Sequence, residues 1–241
     1  MNPSERIPHE FPFGGLAVVV GVSGGIGQAM TRCLQSSGQF TEVIGLARTG
    51  TPVLDLTDEN RIAEVARQVG DRDEPLRLVF DATGFLHDER FKPEKSFRHL
   101  DPVHLAHAFA VNAIGPALLM KHFLPLLAPE GKAVFATLSA RVGSIGDNHF
   151  GGWYSYRASK AALNQLVRTA AVELGRNARQ AICVSLHPGT VDTRLSAPFA
   201  RSGLDVRPPE QAAEEIWRVI LGLSADDSGG FFDHHGKTVQ W

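Results

Sequence analysis

Tyr156 and Lys160 lie four residues apart, the spacing that puts two side chains on one face of an α-helix. A free phenol ionises at about pH 10. A neighbouring ammonium stabilises the phenolate and lowers that value, so the phenol can give or take a proton near neutral pH. The chain has two tyrosines and six lysines, and chance gives such a pair in roughly one sequence in twenty. Tyr154 has Ala158 at the same offset and cannot play this part.

A second group of residues is suited to holding a phosphate. Leu16 to Val20 is an apolar, β-branched run that leads directly into Gly21-Val-Ser-Gly-Gly-Ile-Gly27. A strand that must turn tightly into a helix needs glycines, and a pyrophosphate can approach their backbone with no Cβ in the way. The helix N-terminus then offers free N–H groups and partial positive charge. No Lys-Ser or Lys-Thr follows the glycines, so a nucleoside-triphosphate loop does not fit. The second strand ends at Leu46-Ala47-Arg48. In dinucleotide folds an acidic residue there reads a free ribose hydroxyl, whereas an arginine suits a 2′-phosphate. Arg48 therefore favours NADP(H), with NAD(H) left open.

The elements that must position these groups alternate. Strands are expected at Leu16–Val20, Glu42–Ala47, Pro52–Leu56, Leu76–Phe80, Ala133–Leu138, Gln180–Leu186 and Gly230–Asp233. Helices are expected at Gln28–Ser37, Asp58–Val69 with Thr57 as N-cap and Gly70 as stop, about Val103–Phe123, about Tyr156–Leu174, and Pro208–Leu221. The pattern predicts one α/β domain over residues 1–241, a doubly wound Rossmann domain with a parallel sheet and helices on both faces. Ligands of such sheets sit beyond the carboxyl ends of the strands.

Composition agrees. There are 241 residues, 43% hydrophobic and 21% charged, with a net charge of −2. The basic excess of a phosphate-neutralising nucleic-acid binder is missing. No run reaches the ~18 consecutive apolar residues of a membrane span. Met1 to Pro12 carries Glu5, Arg6, His9 and Glu10 and does not read as a signal peptide. Cys33 and Cys183 form no CxxC pair, so a disulfide framework is excluded and a reducing cytoplasm is expected.

Taken together, these motifs resemble the short-chain dehydrogenase/reductase family over nearly the whole chain. Val20-Gly-Val-Ser-Gly-Gly-Ile-Gly27 looks like its TGxxxGIG loop, with Val20 in place of threonine. Asp81-Ala-Thr-Gly84 stands where the family has Asn-Asn-Ala-Gly. Asn112 matches the helix asparagine of the catalytic tetrad, and Tyr156-Arg-Ala-Ser-Lys160 the catalytic segment. Pro188-Gly-Thr-Val-Asp-Thr193 matches the stretch that lies against the nicotinamide. Pro93-Glu-Lys95, Gly143-Ser-Ile145, Gly151-Gly-Trp-Tyr154 and Trp241 are similar to the C-factor-like carbonyl reductases.

The resemblance implies hydride transfer between a nicotinamide and a small carbonyl or alcohol substrate, with Tyr156 as acid/base. Lys160 would bind the ribose and lower the phenol pKa, and Asn112 would hold a relay water. Cofactor contacts are implied for Gly21, Ser23, Gly25, Ile26 and Gly27 in the loop, and for Arg48, Asp55, Leu56, Ala82 and Gly84 around the adenosine. Pro188, Gly189, Val191 and Thr193 would join Asn112, Tyr156 and Lys160 at the nicotinamide. No metal is implied, and a homodimer or homotetramer through the helices at about 103–123 and 156–174 is. The family's usual serine falls on Ala140. Ser139 fills the role if the strand end shifts by one residue, and Ser144 is a second candidate. The loss motivates an alternative, a weakly catalytic NAD(P)-binding sensor or signalling protein. His149 and His187 are candidates for the substrate pocket, His234 and His235 for opposite faces of a strand, and Arg194 to Val206 for a mobile lid.

Overall fold

All five residues of Leu16–Val20 (β1) are buried, so this strand has no solvent face and must be covered on both sides. The computed structural model, which describes residues 11–199 and 205–241, places it inside a six-stranded parallel sheet. The other strands are Glu42–Leu46 (β2), Leu76–Asp81 (β3), Ala133–Leu138 (β4), Ala181–His187 (β5) and, after two short strands, Phe231–Asp233 (β8). Their order is β2-β1-β3-β4-β5-β8, with Val20 paired to Leu46 on one side and Asp81 on the other. The strand order reverses between β1 and β3, the crevice where doubly wound sheets bind ligands. Thr190–Val191 (β6) and Val206–Arg207 (β7) pair separately.

Helices cover both faces. Gly25–Ser37 (α1) and Pro209–Gly222 (α6) pack on one, where Met30, Leu34, Ile216 and Ile220 meet Val19, Phe80 and Val184. Glu59–Gly70 (α2), Gly115–Phe123 (α4) and Tyr154–Asn177 (α5) cover the other, where Ile62, Leu119, Phe123 and Leu163 meet Val18, Val79 and Phe135. Pro102–Phe109 (α3) runs into α4 through a π-helical turn at Ala110–Ile114. The whole stretch Pro102–Leu126 is long and apolar enough to cross a membrane by composition. Here Leu119 and Phe123 are fully buried against the sheet.

Three local expectations are corrected. Pro52–Leu56 forms no strand: only Val53 bridges Ala47, and the segment passes over the strand ends instead. The cap of α2 is Asp58, whose carboxylate accepts from Asn60 N at 3.0 Å and Arg61 N at 3.3 Å, while the Thr57 hydroxyl donates to Asp55. His234 and His235 lie in the turn after β8 rather than on a strand, with rings 4.0 Å apart. Residues 1–10, read above as unlike a signal peptide, and 200–204, the middle of the expected lid, lie outside the described residues.

Candidate active site

The loop after β1 is shaped by contact. Gly21 has φ 90° and donates its N–H to Leu46 O at 2.8 Å. A Cβ on Gly27 would lie 2.3 Å from Gly21 O, so no side chain fits there. Helix α1 starts at Gly25, three residues earlier than the pattern predicted, and Gly25, Ile26 and Gly27 form its first turn. Their N–H groups have no partner within the helix, as in any first turn. Gly21, Ser23, Arg48, Asp55, Leu56, Ala82 and Gly84 line a cleft of about 280 Å³ at this end. Asp55 accepts from Thr57 N at 2.9 Å and Thr57 Oγ1 at 2.7 Å. Those bonds, and the nearby Arg48 charge after them, hold its carboxyl below the usual range.

A second cavity, about 250 Å³, continues along the strand ends. Gly25, Ile26, Ala82, Gly84, Ser139, Tyr156, Lys160, Pro188 and Thr193 line it. Lys160 is buried and donates from Nζ to Leu138 O at 3.0 Å. Burial lowers its pKa to about 8, and the Asp81 charge opposes that fall. Asp81 is itself fully buried, accepting from Thr83 N, Thr83 Oγ1 and Thr137 Oγ1. Burial still pushes its carboxyl up.

Asn112 sits in the π-helical turn. Its Oδ1 accepts from Phe85 N at 2.7 Å, and its Nδ2 donates to Phe85 O at 2.8 Å and Ser159 Oγ at 3.0 Å. Ser159 in turn donates to Tyr156 O at 3.0 Å. The π turn thus ties the loop after β3 to α5. A Cβ on Gly84 would stand 3.7 Å from Lys160 Nζ and 3.8 Å from Asn112 Oδ1, which brings all three to one place.

Beyond Tyr156 opens a third, more apolar pocket of about 300 Å³. Leu86, Val142, Trp153, Val191, Leu195 and Phe199 supply apolar lining, and Pro188, Gly189 and His187 also border it. Tyr156 borders both this pocket and the cavity that holds Lys160. The sequence reading expected Lys160 to lower the phenol pKa. Burial instead pushes it up to about 12, while the Lys160 ammonium donates to Leu138 O.

Neither replacement serine presents a free proton to the pocket. Ser139 lines the pocket, but its hydroxyl donates to Asn164 Oδ1 at 2.7 Å. Ser144 is buried outside the lining and accepts Asp147 N–H. Ala140 lines the pocket with a methyl group. His187 does reach the lining, whereas His149 is exposed on its loop and does not. Burial takes His187 down to about 4, so it is neutral. Sequence reasoning missed one cation at the glycine loop: Arg194 donates to Ser23 O at 3.4 Å. Its place directly after the Pro188–Thr193 segment was the available signal. Among the described residues no group of three His, Cys, Asp or Glu side chains could hold a metal.

The residues present fit a nicotinamide dinucleotide. The glycine turn leaves no room for a Cβ at Gly27, the cleft and the adjoining cavity run from Arg48 to Tyr156, and a buried ammonium stands at the far end. Comparison with known proteins agrees with this architecture. The family model described as enoyl-(acyl carrier protein) reductase matches residues 21–220. The chain is 30% identical to 1-hydroxy-2-glutathionyl-2-methyl-3-butene dehydrogenase of Rhodococcus sp., over 93% of this chain and 98% of that one. It is 37% identical to C-signal of Myxococcus xanthus, over 59% of this chain and 81% of that one, a likeness in keeping with the branch features noted above. The NADPH-bound carbonyl reductase from chicken fatty liver superposes with a TM-score of 0.85 over 100% of this chain and 99% of that one, at 24% identity. The chain belongs to the short-chain dehydrogenase/reductase family.

Proposed function

We propose that this protein reduces a small apolar carbonyl compound with NADPH, Tyr156 giving the proton. The observation that carries the reading is the place of Tyr156 on the wall between the Lys160 cavity and the apolar pocket. A substrate in the pocket puts its oxygen at the phenol. When bound, the nicotinamide supplies the hydride. The Tyr156 O–H donates to the carbonyl oxygen as negative charge grows there. Lys160, buried in the cavity that Tyr156 borders, would hold the ribose hydroxyls. Asn112 fixes the α5 turn through Ser159, and Arg48 would meet the 2′-phosphate. A phenol raised by burial favours the reductive direction, since it arrives protonated.

The relatives support this class: one is a dehydrogenase by name, and a fold neighbour is a carbonyl reductase with NADPH bound. A homodimer through α4 and α5 is part of the proposal. Between them lies an open groove of about 730 Å³ bordered by Leu124, Leu166 and Leu174. The test is NADPH oxidation against aldehydes, diketones and quinones. Turnover on any class supports the reading and names the substrate type.

One observation favours a second reading. With alanine at 140 and the Ser139 proton given to Asn164, the developing oxyanion has one hydroxyl donor fewer than the family pattern provides. Such a donor is worth about 3–4 kcal/mol of barrier. A slow sensor that binds NADPH without appreciable turnover is the reading that follows if no substrate class turns over.

A further inference from the structure

Helix α5 begins without a cap of its own. Its N-cap residue is Trp153, which offers no side-chain acceptor and has φ 53°, a left-handed conformation that costs a non-glycine residue. Tyr156 stands three residues later. A helix end that carries an acid must be held still, and here the hold comes from 61 residues upstream.

Glu94 supplies it. Its carboxylate is buried and accepts from Ser155 N through Oε2 at 3.2 Å and from the Ser155 hydroxyl through Oε1. Its backbone carbonyl accepts from Trp153 N at 2.6 Å. One residue thus grips both sides of the turn that precedes Tyr156, and its negative charge sits at the positive end of the helix. His104 completes the clamp. Its Nδ1 stands 3.2 Å from Glu94 Oε1, and its ring stacks on Phe91 with centroids 4.8 Å apart. Asp101, by accepting from Val103 N and His104 N, starts the helix that carries His104. Glu94, His104 and Ser155 are all nearly inaccessible to solvent.

We propose that Glu94 is a positioning residue for Tyr156: its buried carboxylate, braced by His104, replaces the missing cap of α5 and fixes the phenol between cleft and pocket. This rests on the assignment of Tyr156 as the acid. The Pro93-Glu-Lys95 motif thereby acquires a task that neither the cofactor nor the substrate explains. Glu94→Ala removes both side-chain acceptors, whereas Glu94→Gln keeps an acceptor of the same length. Ser155→Ala removes only the hydroxyl.

The test reads Tyr156 directly, without cofactor. The chain has two tyrosines, so in a Tyr154→Phe background 3-fluorotyrosine labels Tyr156 alone. The parent should give one sharp fluorine resonance. Glu94→Ala should split or broaden it, and Ser155→Ala should move it the same way by less. Glu94→Gln should recover most of the parent signal. With a carbonyl substrate, kcat should fall about tenfold to a hundredfold in Glu94→Ala, with the NADPH Kd within about threefold. Asp58→Ala, which removes the cap of α2 far from Tyr156, should lower Tm but leave resonance and kcat unchanged. An unmoved resonance in folded Glu94→Ala, or in Ser155→Ala should Glu94→Ala not fold, overturns the proposal. If the parent turns over no carbonyl, the resonance still decides this point while the reductase reading fails separately.

Discussion

The Ser139 hydroxyl donates to Asn164 Oδ1 at 2.7 Å and so directs its proton into the body of the fold, away from the pocket that Ser139 lines. Asn164 Nδ2 is buried with no partner among the described residues, so this hydrogen bond is the one that fixes the amide. Ser139→Ala should therefore act on stability more than on catalysis. Leaving Asn164 Oδ1 unpaired should cost about 1–3 kcal/mol, read from denaturant unfolding. The kcat should stay within about threefold.

Ala140 is the complementary position. Ala140→Ser adds a hydroxyl at the pocket wall. A native reductase that has adapted to its alanine should gain less than about tenfold in kcat. A gain of about 10²–10³, the usual value of an oxyanion donor, would show that the native chain is not tuned for turnover.

Arg48 lines the cleft beside the glycine loop and is exposed, free to turn towards a phosphate. Arg48→Asp should raise the KM for NADPH by about 10–100-fold, the worth of a charge-assisted hydrogen bond. The KM for NADH should change by less than about threefold. Equal losses for both cofactors would remove Arg48 from 2′-phosphate recognition.

Lys160 sets the expected pH dependence. Its folded value of about 8 lies below the usual 10.5 because burial disfavours the ammonium. Above pH about 8 the Lys160 ammonium in the cavity that Tyr156 borders is lost, so the reduction rate should fall as pH rises through that value. The stability sign is opposite. Between about 8 and 10.5 the unfolded chain holds a proton that the folded chain has released, so this group makes folding more favourable as pH rises there. Asp81 holds the Lys160 value up, so Asp81→Asn should move the alkaline limb of activity to lower pH. Asparagine can still accept from Thr83 through Oδ1 and can donate from Nδ2 to the Thr137 hydroxyl oxygen, which keeps the loop in place.

Gly27 tests the phosphate turn. Its alanine variant meets Gly21 O at 2.3 Å, a backbone atom that cannot step aside. Gly27→Ala should lose about 1–3 kcal/mol of stability and most NADPH affinity together, measured by thermal unfolding with and without the dinucleotide.

How far these features could be read from the sequence depended on how local they are. The all-apolar run of β1, the glycine turn and the Tyr156–Lys160 spacing are set within a few residues, and each appears where the pattern put it. Pro52–Leu56 read as a strand because its composition is right, yet a peptide passing over strand ends looks the same in sequence. Asp58 displaced Thr57 as cap because Asp55 captured the threonine hydroxyl, a competition visible only in three dimensions. The direction of the Tyr156 shift was missed for the same reason. Helical spacing placed Lys160 on the face of the phenol but could not show how deeply the phenol is buried. Glu94 lies 61 residues from its partner Ser155, and no local pattern joins them.

Tyr156→Phe is the most direct test of the account. The phenyl ring keeps the helix turn and the wall between cavity and pocket, and only the proton donor is lost. NADPH Kd should be unchanged within about threefold while kcat for the best carbonyl falls about 10²–10⁴-fold, the usual contribution of a positioned acid. Turnover in the variant within about threefold of the parent would contradict Tyr156 as the acid, and with it the central claim.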